Sequence, residues 1–166
     1  MQIFFFNPVV TLIIAFLLWF LLQSGSAYIC LKLNDKYYQS QNFIFKIRAW
    51  EQNGFIYERI FHVRRWKKFL PDGSKVVKGG YQKSHLHDFS EENLHRFIIE
   101  SARAELTHWL AIIPFWVFGL FMPLYAVFIM LLYALIVNLP CIIAQRYNRP
   151  RVIHLMNKKY HNKSIT

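Results

Sequence analysis

The sequence predicts an all-α integral membrane protein with one N-terminal transmembrane helix, an interfacial basic amphipathic segment and a C-terminal transmembrane helical hairpin. No charged side chain precedes Lys32, and residues 106–145 contain no Asp, Glu, Lys or Arg. All charges therefore fall in the two remaining segments. These limits divide the chain into an N-terminal transmembrane helix (1–31), a cytoplasmic membrane-surface segment (32–105), the transmembrane hairpin (106–145) and a basic cytoplasmic tail (146–166).

The apolar run near the start of the chain predicts the first membrane span. Residues 3–22 are almost all Ile, Leu, Phe, Val and Trp, and about 20 such residues cross a bilayer as a helix. Residues 24–27 are small, as at the cleavage site of a signal peptide. We favour an uncleaved helix, because no basic residue precedes the run and the run is longer than an ordinary signal-peptide core.

The forty uncharged residues 106–145 predict the hairpin. As one straight helix they would be about 60 Å long, roughly twice the hydrocarbon thickness of a bilayer. Residues 146–151 follow with three arginines, which are costly to place in lipid. The run is therefore expected to enter the membrane, turn near its middle and return to the same face. Gly119 and Pro123 are the expected turn residues.

The basic residues predict the orientation. Residues 32–105 carry all 9 acidic and 14 of the 20 basic residues, a net charge of +5, and the last 21 residues carry the other six basic ones. Lys and Arg near membrane spans are retained on the cytoplasmic side. Both segments are therefore expected in the cytoplasm, which requires three spans.

Within the central segment the pattern predicts short surface elements. Residues 43–50 alternate in polarity like a short strand, and residues 55–70 have the helical spacing and basic composition of an interfacial helix that ends at the turn 71–73. A second helix is expected to begin near Asp88 or Ser90 and to run into the first arm of the hairpin.

Several classes of function are disfavoured. A net charge of +11 is ordinary for a protein in an anionic leaflet, and no nucleic-acid-binding signature accompanies it, so no nucleic-acid partner is expected. Cys30 and Cys141 lack Cys-x-x-Cys spacing, which argues against a disulfide or a metal site. We expect neither a metal nor another cofactor.

Glu105 and His108 are the first candidates for chemistry. Three residues apart on a helix, they project from one face, and a carboxylate can orient an imidazole as a general base. On spacing alone, an ordinary pair at the membrane boundary explains them better. His85, in the Gly-containing loop 79–88, is a rival base.

Three blocks of sequence carry a resemblance to a known family. They are residues 61–67 (FHVRRWK) with the later Pro-Asp-Gly turn, residues 103–109 (RAELTHW), and residues 138–140 (NLP) continuing to 145–151 (QRYNRPR). Over roughly residues 35–151 the chain resembles the glycosyl-4,4'-diaponeurosporenoate acyltransferase family of Gram-positive bacteria. Those membrane enzymes place a fatty acyl chain on the sugar of a glycosylated carotenoid acid.

The resemblance implies an acyltransferase in a bacterial cell membrane, with acyl-CoA or acyl-carrier protein as donor. The acceptor is a glycosylated carotenoid or another glycolipid, and membrane lipids are further partners. One assignment makes His108 the general base, oriented by Glu105, with His85 as the rival. The same assignment gives the substrate-binding groups as Asn148, a hydrogen-bond donor, and an anion site of Arg146, Arg149 and Arg151. The alternative is a non-catalytic membrane scaffold or anchoring subunit.

Overall fold

The computed structural model describes residues 2–70 and 89–161, and this part of the chain is helical with no β-strand. The prediction of an all-α protein is therefore confirmed. The α-helices are α1 (Pro8–Lys32), α2 (Phe55–Phe61), α3 (Val63–Trp66), α4 (Glu91–Ile112) and α5 (Leu124–Met156). Short 3₁₀ helices cover Asp35–Tyr38, Ala49–Gly54, Lys67–Phe69 and Ile113–Leu120, and a π-helical turn covers Asn157–His161.

Helix α1 begins at a well-formed cap. The Asn7 side chain accepts a hydrogen bond of 2.9 Å from the backbone N–H of Val10, and Pro8 occupies the first helical position, where its missing N–H costs nothing. Most large apolar side chains of α1 are exposed, as are those in the first half of α5. Within the described residues, two helical segments, Pro8–Lys32 and Leu124–Tyr160, are long and apolar enough to cross a bilayer, which suggests membrane association.

One compact unit consists of Met1–Leu33 and Leu106–Ile142. Its core joins α1 to the hairpin through Ala15, Phe118 and Val127. The extended residues before α1 contact the hairpin turn, because the backbone N–H groups of Ile3 and Phe4 both donate to the carbonyl of Leu120, at 2.8 and 2.9 Å. In this unit the start of the chain and the hairpin turn therefore share one end.

The hairpin turn is built around proline. Pro114 lacks a backbone N–H, and α4 changes there into the 3₁₀ helix Ile113–Leu120. Pro123 directly precedes α5, as expected for a turn residue. Gly119 lies before the turn, buried within the 3₁₀ helix. Helix α4 begins at Glu91 and continues into the first arm, as the sequence predicts.

A second compact unit consists of Asn34–Glu105 and Ile143–Thr166. Among the described residues of this unit, the buried apolar side chains are Tyr38, Phe45, Tyr57, Val63, Leu94, Phe97, Ile98, Ala102, Ala144 and Tyr147. Helix α5 continues past Ile143 as far as Met156, and its buried Tyr147 belongs to this core. The exposed large residues of this unit include aromatics interleaved with cations, as expected of an interfacial segment.

The predicted strand at residues 43–50 is wrong. The backbone turns at Asn42, whose carbonyl accepts from the N–H groups of Phe45 and Lys46, both at 2.9 Å. Residues Ala49–Gly54 then form a 3₁₀ helix, and the carboxylate of Glu51 accepts from the N–H of Arg48 at 3.0 Å. The backbone N–H and C=O groups that would pair with a neighbouring strand are thus used in local hydrogen bonds to the backbone and to side chains.

The predicted single helix over residues 55–70 is also wrong. It breaks at His62, which has a left-handed backbone (φ 51°) and an exposed side chain. The His62 N–H caps α2 on the carbonyl of Glu58 at 3.0 Å, and the Glu58 carboxylate accepts from the N–H of Arg64 at 3.1 Å. The break turns Val63 inward, where it is fully buried. The predicted turn at 71–73 and His85 in the loop 79–88 lie outside the described residues.

We predict that Gly54→Ala destabilises the protein by about 1–3 kcal/mol. Gly54 has φ 88°, and an added Cβ would lie 2.9 Å from the carbonyl oxygen of Tyr147 and 3.3 Å from that of Arg146. Thermal unfolding in detergent measures the loss. Gly25→Ala is the matched control, because nothing lies within 4 Å of the added carbon. Equal melting temperatures for the two variants would contradict the close approach.

Candidate functional site

Among the described residues of the second unit, three charged side chains are fully buried. Glu51 and Glu105 are 0% exposed and Arg149 is 1% exposed. A buried charge is costly unless an opposite charge and hydrogen bonds compensate it. The partners of these groups therefore determine what they can do.

Arg146, on α5, joins the two buried carboxylates. Its Nε lies 2.6 Å from Oε1 of Glu105, on α4, and its Nη1 lies 2.9 Å from Oε1 of Glu51. Its Nη2 donates to the carbonyl of Ile44. All three guanidinium nitrogens are thus engaged by the protein itself, in the fork geometry that makes arginine suitable for such bridges.

Arg149, one helical turn further along α5, completes the network. Its Nη1 lies 2.7 Å from Oε2 of Glu105, and its Nη2 donates to the carbonyl of Phe45 at 3.3 Å. The Glu105 carboxylate is therefore held between two arginines. The carboxylate of Glu51 also accepts from the Tyr57 hydroxyl at 3.1 Å, and burial together with this neighbouring carboxylate raises the pKa of Tyr57.

The network is electrically neutral, with two carboxylates and two guanidinium groups. The structure brings Glu105, Arg146 and Arg149 together and pairs the acid with both cations. Arg146 and Arg149 therefore have little unbalanced charge to offer a substrate anion. Their packing is what a structural ion-pair network requires.

A second cluster of cations surrounds Tyr147, whose ring is buried. The Tyr147 hydroxyl accepts from Nε of Arg64, on α3, at 2.9 Å and also from Nη1 of Arg151, on α5. The Arg151 guanidinium lies over the Tyr147 ring, 3.9 Å from its centroid, and the Lys67 ammonium lies 5.0 Å from the same centroid. Cation–π contact of this kind holds each charge against the ring.

Lys67 also connects the cluster to Asn148. Its Nζ donates to the side-chain oxygen of Asn148 at 2.9 Å. Partial burial, followed by the nearby charges of Arg151 and Arg64, lowers the pKa of Lys67. Asn148 thus sits among cations, so the predicted hydrogen-bond donor and Arg151 belong to this cluster and not to the buried network.

The local sequence explains why these cations meet. Tyr147 and Arg151 are four residues apart and so share a face of α5. The break at His62 directs Val63 against Tyr147, and the exposed Arg64 and half-buried Lys67 follow at the edge of that apolar contact. The two sequence blocks 61–67 and 145–151 therefore pack on each other.

His108 lies in the first unit, half-buried on α4. Its Nδ1 is 2.9 Å from the side-chain oxygen of Asn138, which is 1% exposed on α5. The Asn138 amide nitrogen donates to the carbonyl of Ala134 at 2.9 Å, which fixes the amide so that its oxygen faces the imidazole. A neutral His108 then carries its proton on Nδ1 and the lone pair on Nε2.

Several of these groups are not predicted from the sequence. Asn138 is polar within an apolar run, which is a signal of function in a membrane helix, but its partner depends on the register of the hairpin. From the sequence pattern, Arg64, Lys67 and Tyr147 are indistinguishable from other residues of a basic surface. In the described part of the chain no group of three His, Cys, Asp or Glu side chains could hold a metal ion.

Comparisons with known proteins give one consistent result. Residues 34–158 match the family model described as glycosyl-4,4'-diaponeurosporenoate acyltransferase. A relative of that name from Staphylococcus aureus strain MRSA252 is 37% identical over 138 residues, which is 83% of each chain. Another, from strain bovine RF122 / ET3-1, is 36% identical over the same share of both chains. No solved structure matches the chain.

We predict that Glu51→Gln lowers the free energy of unfolding by about 3–5 kcal/mol, because it leaves the partly buried Arg146 with one carboxylate fewer. Chemical or thermal unfolding in detergent measures the change. The control is Glu92→Gln, at the exposed start of α4, where loss of the charge near the helix N-terminus costs about 0.3–1 kcal/mol. Similar losses in both variants would remove the network from its structural role.

Proposed function

The chain belongs to the glycosyl-4,4'-diaponeurosporenoate acyltransferase family, and we propose that it moves a fatty acyl chain from a thioester donor to a sugar hydroxyl of a glycosylated carotenoid acid or similar glycolipid. The observation that carries the proposal is the family match over residues 34–158. The relatives' name supplies the acceptor class, and the thioester is our proposal for the donor.

His108 is our general base. Nε2 of His108 takes the proton of the sugar hydroxyl while the hydroxyl oxygen bonds to the carbonyl carbon of the thioester. The tetrahedral intermediate then collapses, the carbon–sulfur bond breaks, and the imidazolium returns its proton to the leaving thiolate. The products are the ester and the free thiol, so the protein ends in its starting state.

Asn138, rather than Glu105, is our positioning residue for His108. The hydrogen bond from Nδ1–H to the Asn138 oxygen favours the tautomer that leaves the lone pair on Nε2. Glu105 is engaged by two arginines, and we assign it to the structural network. Asn148 and Arg151 stay in the proposal as substrate-binding residues, whereas Arg146 and Arg149 are reassigned to holding the fold.

A membrane setting suits this reaction, because both substrates carry long apolar chains. We propose three spans, with the central segment and the C-terminus in the cytoplasm of a bacterial cell. The basic charge of both segments supports this orientation. The contact of Ile3 and Phe4 with Leu120 supports the number of spans, since it places the start of the chain and the hairpin turn at the same end.

The activity test is direct. Purified protein in lipid vesicles, given acyl-CoA and a glycosylated carotenoid acid, should form the acyl ester, detected by mass spectrometry. We expect His108→Ala to lower the rate about 10²–10⁴-fold, because it removes the base. His95→Ala, at an exposed position of the same helix, should keep full activity. Absence of product with wild-type protein and active substrates would favour the scaffold alternative.

Asn138 variants test the positioning role. We expect Asn138→Leu, of similar volume but without an acceptor, to lower kcat with little change in KM. Asn138→Asp keeps an acceptor oxygen and should retain more of the rate. The measurement is steady-state kinetics on the same vesicles. If Asn138→Leu and Asn138→Asp were equally impaired, with intact folding, Asn138 would be only a packing residue.

Cysteine labelling tests the topology. With Cys30 and Cys141 replaced by alanine, single cysteines at Lys68 and Lys159 should react with a membrane-impermeant reagent only when it reaches the cytoplasmic face. Both side chains are exposed, so reactivity reports sidedness. Labelling of the two positions from opposite faces would contradict the three-span arrangement.

A further inference from the structure

We infer that Arg64, Lys67 and Arg151 form a binding site for a phosphate group. The three cations converge on Tyr147, and none of them makes an ion pair with a carboxylate in the described residues 2–70 and 89–161. This inference differs from the anion site that the sequence predicts, because it adds α3 and the following residues and excludes Arg146 and Arg149.

The charges of the cluster are close together. Arg64 and Arg151 both donate to the Tyr147 hydroxyl oxygen, which places the two donor nitrogens within about 6 Å of each other, twice the length of a hydrogen bond. Lys67 lies over the same ring. Glu58 is the nearest carboxylate in the local sequence, and it accepts a hydrogen bond from the backbone N–H of Arg64. Three cationic side chains are thus balanced by only one carboxylate. The cluster therefore keeps a net positive charge.

Without a bound anion, three neighbouring cations cost free energy, because like charges repel and the Lys67 ammonium is partly desolvated. The lowered pKa of Lys67 reflects both effects, burial first and the two arginines next. An anion at the cluster would relieve them. Arginine forks with a nearby ammonium match a phosphate, which accepts several charge-assisted hydrogen bonds at once.

Other charged regions of this unit are less suited to an anion. The buried network of Glu51, Glu105, Arg146 and Arg149 neutralises itself. An open groove along the start of α4 is lined by four carboxylates, three cationic or titratable side chains and two apolar residues. Of the buried network, the groove and the Tyr147 cluster, only the cluster is both accessible to solvent and positively charged overall.

The phosphate has two possible sources with the same chemistry. It belongs either to the thioester donor, where coenzyme A and acyl-carrier protein both carry phosphate, or to the headgroup of an anionic lipid. As a donor site the inference rests on the proposed function, and as a lipid site it is independent of it. The experiment therefore measures binding, which requires no acyl transfer.

The test compares two double variants that remove the same charge. Lys67→Gln/Arg151→Gln changes the cluster, and Arg65→Gln/Lys68→Gln changes its exposed sequence neighbours. In one arm, coenzyme A is titrated onto full-length protein in phosphatidylcholine nanodiscs by calorimetry. In the other, the melting temperature is compared between nanodiscs of phosphatidylcholine and nanodiscs containing phosphatidylglycerol. Lys67→Gln alone is also measured, in case the double variant at the cluster does not fold.

We expect the cluster variant to weaken coenzyme A binding at least tenfold, or to abolish the stabilisation by phosphatidylglycerol, while the neighbour variant matches wild type. The single Lys67→Gln variant should show the same effect in smaller degree. The first result assigns the phosphate to the donor and the second to a lipid. If cluster and neighbour variants behave alike in both arms, or wild type responds to neither probe, the site is overturned. If wild type and all variants lacked acyl transfer while wild type still bound a probe at the cluster, only the proposed function would be refuted.

Discussion

The buried pairing of Glu105 with Arg146 and Arg149 is the constraint on which the second unit depends. Glu105 is fully buried on α4, and both arginines belong to α5. A shift of either helix would therefore expose a charge to solvent or leave a buried charge without its partner. Arg146 extends the same constraint to Glu51 in the 3₁₀ helix Ala49–Gly54. We expect such a network to favour one arrangement of these helices, because separating the partners leaves an uncompensated buried ion.

The network also divides the basic residues of α5 between two tasks. Arg146 and Arg149, three positions apart, face the carboxylates, and Tyr147 and Arg151, four positions apart, face the elements around Arg64. A helix places these pairs on different faces. One short stretch of sequence thereby supplies both an internal ion-pair network and a cationic surface, and the first fixes the position of the second.

The sequence predicts the long helices correctly because length and apolar composition determine them. The hairpin turn near Pro123 follows for the same reason, since a run of forty uncharged residues is too long for a single span of the bilayer. The strand predicted at residues 43–50 and the helix predicted through His62 fail, because local caps and tertiary hydrogen bonds override a short pattern. The contact of His108 with Asn138 joins residues thirty positions apart, and no local spacing reveals it.

The most direct test of this account is a double-mutant cycle between Glu105 and Arg149, read as free energy of unfolding. Glu105→Gln and Arg149→Gln each strand a buried partner, so each should destabilise the protein by about 3–5 kcal/mol. The double variant removes both charges of the pair and should lose at least about 1 kcal/mol less than the sum of the single losses. Additive losses would contradict a network that depends on paired buried charges.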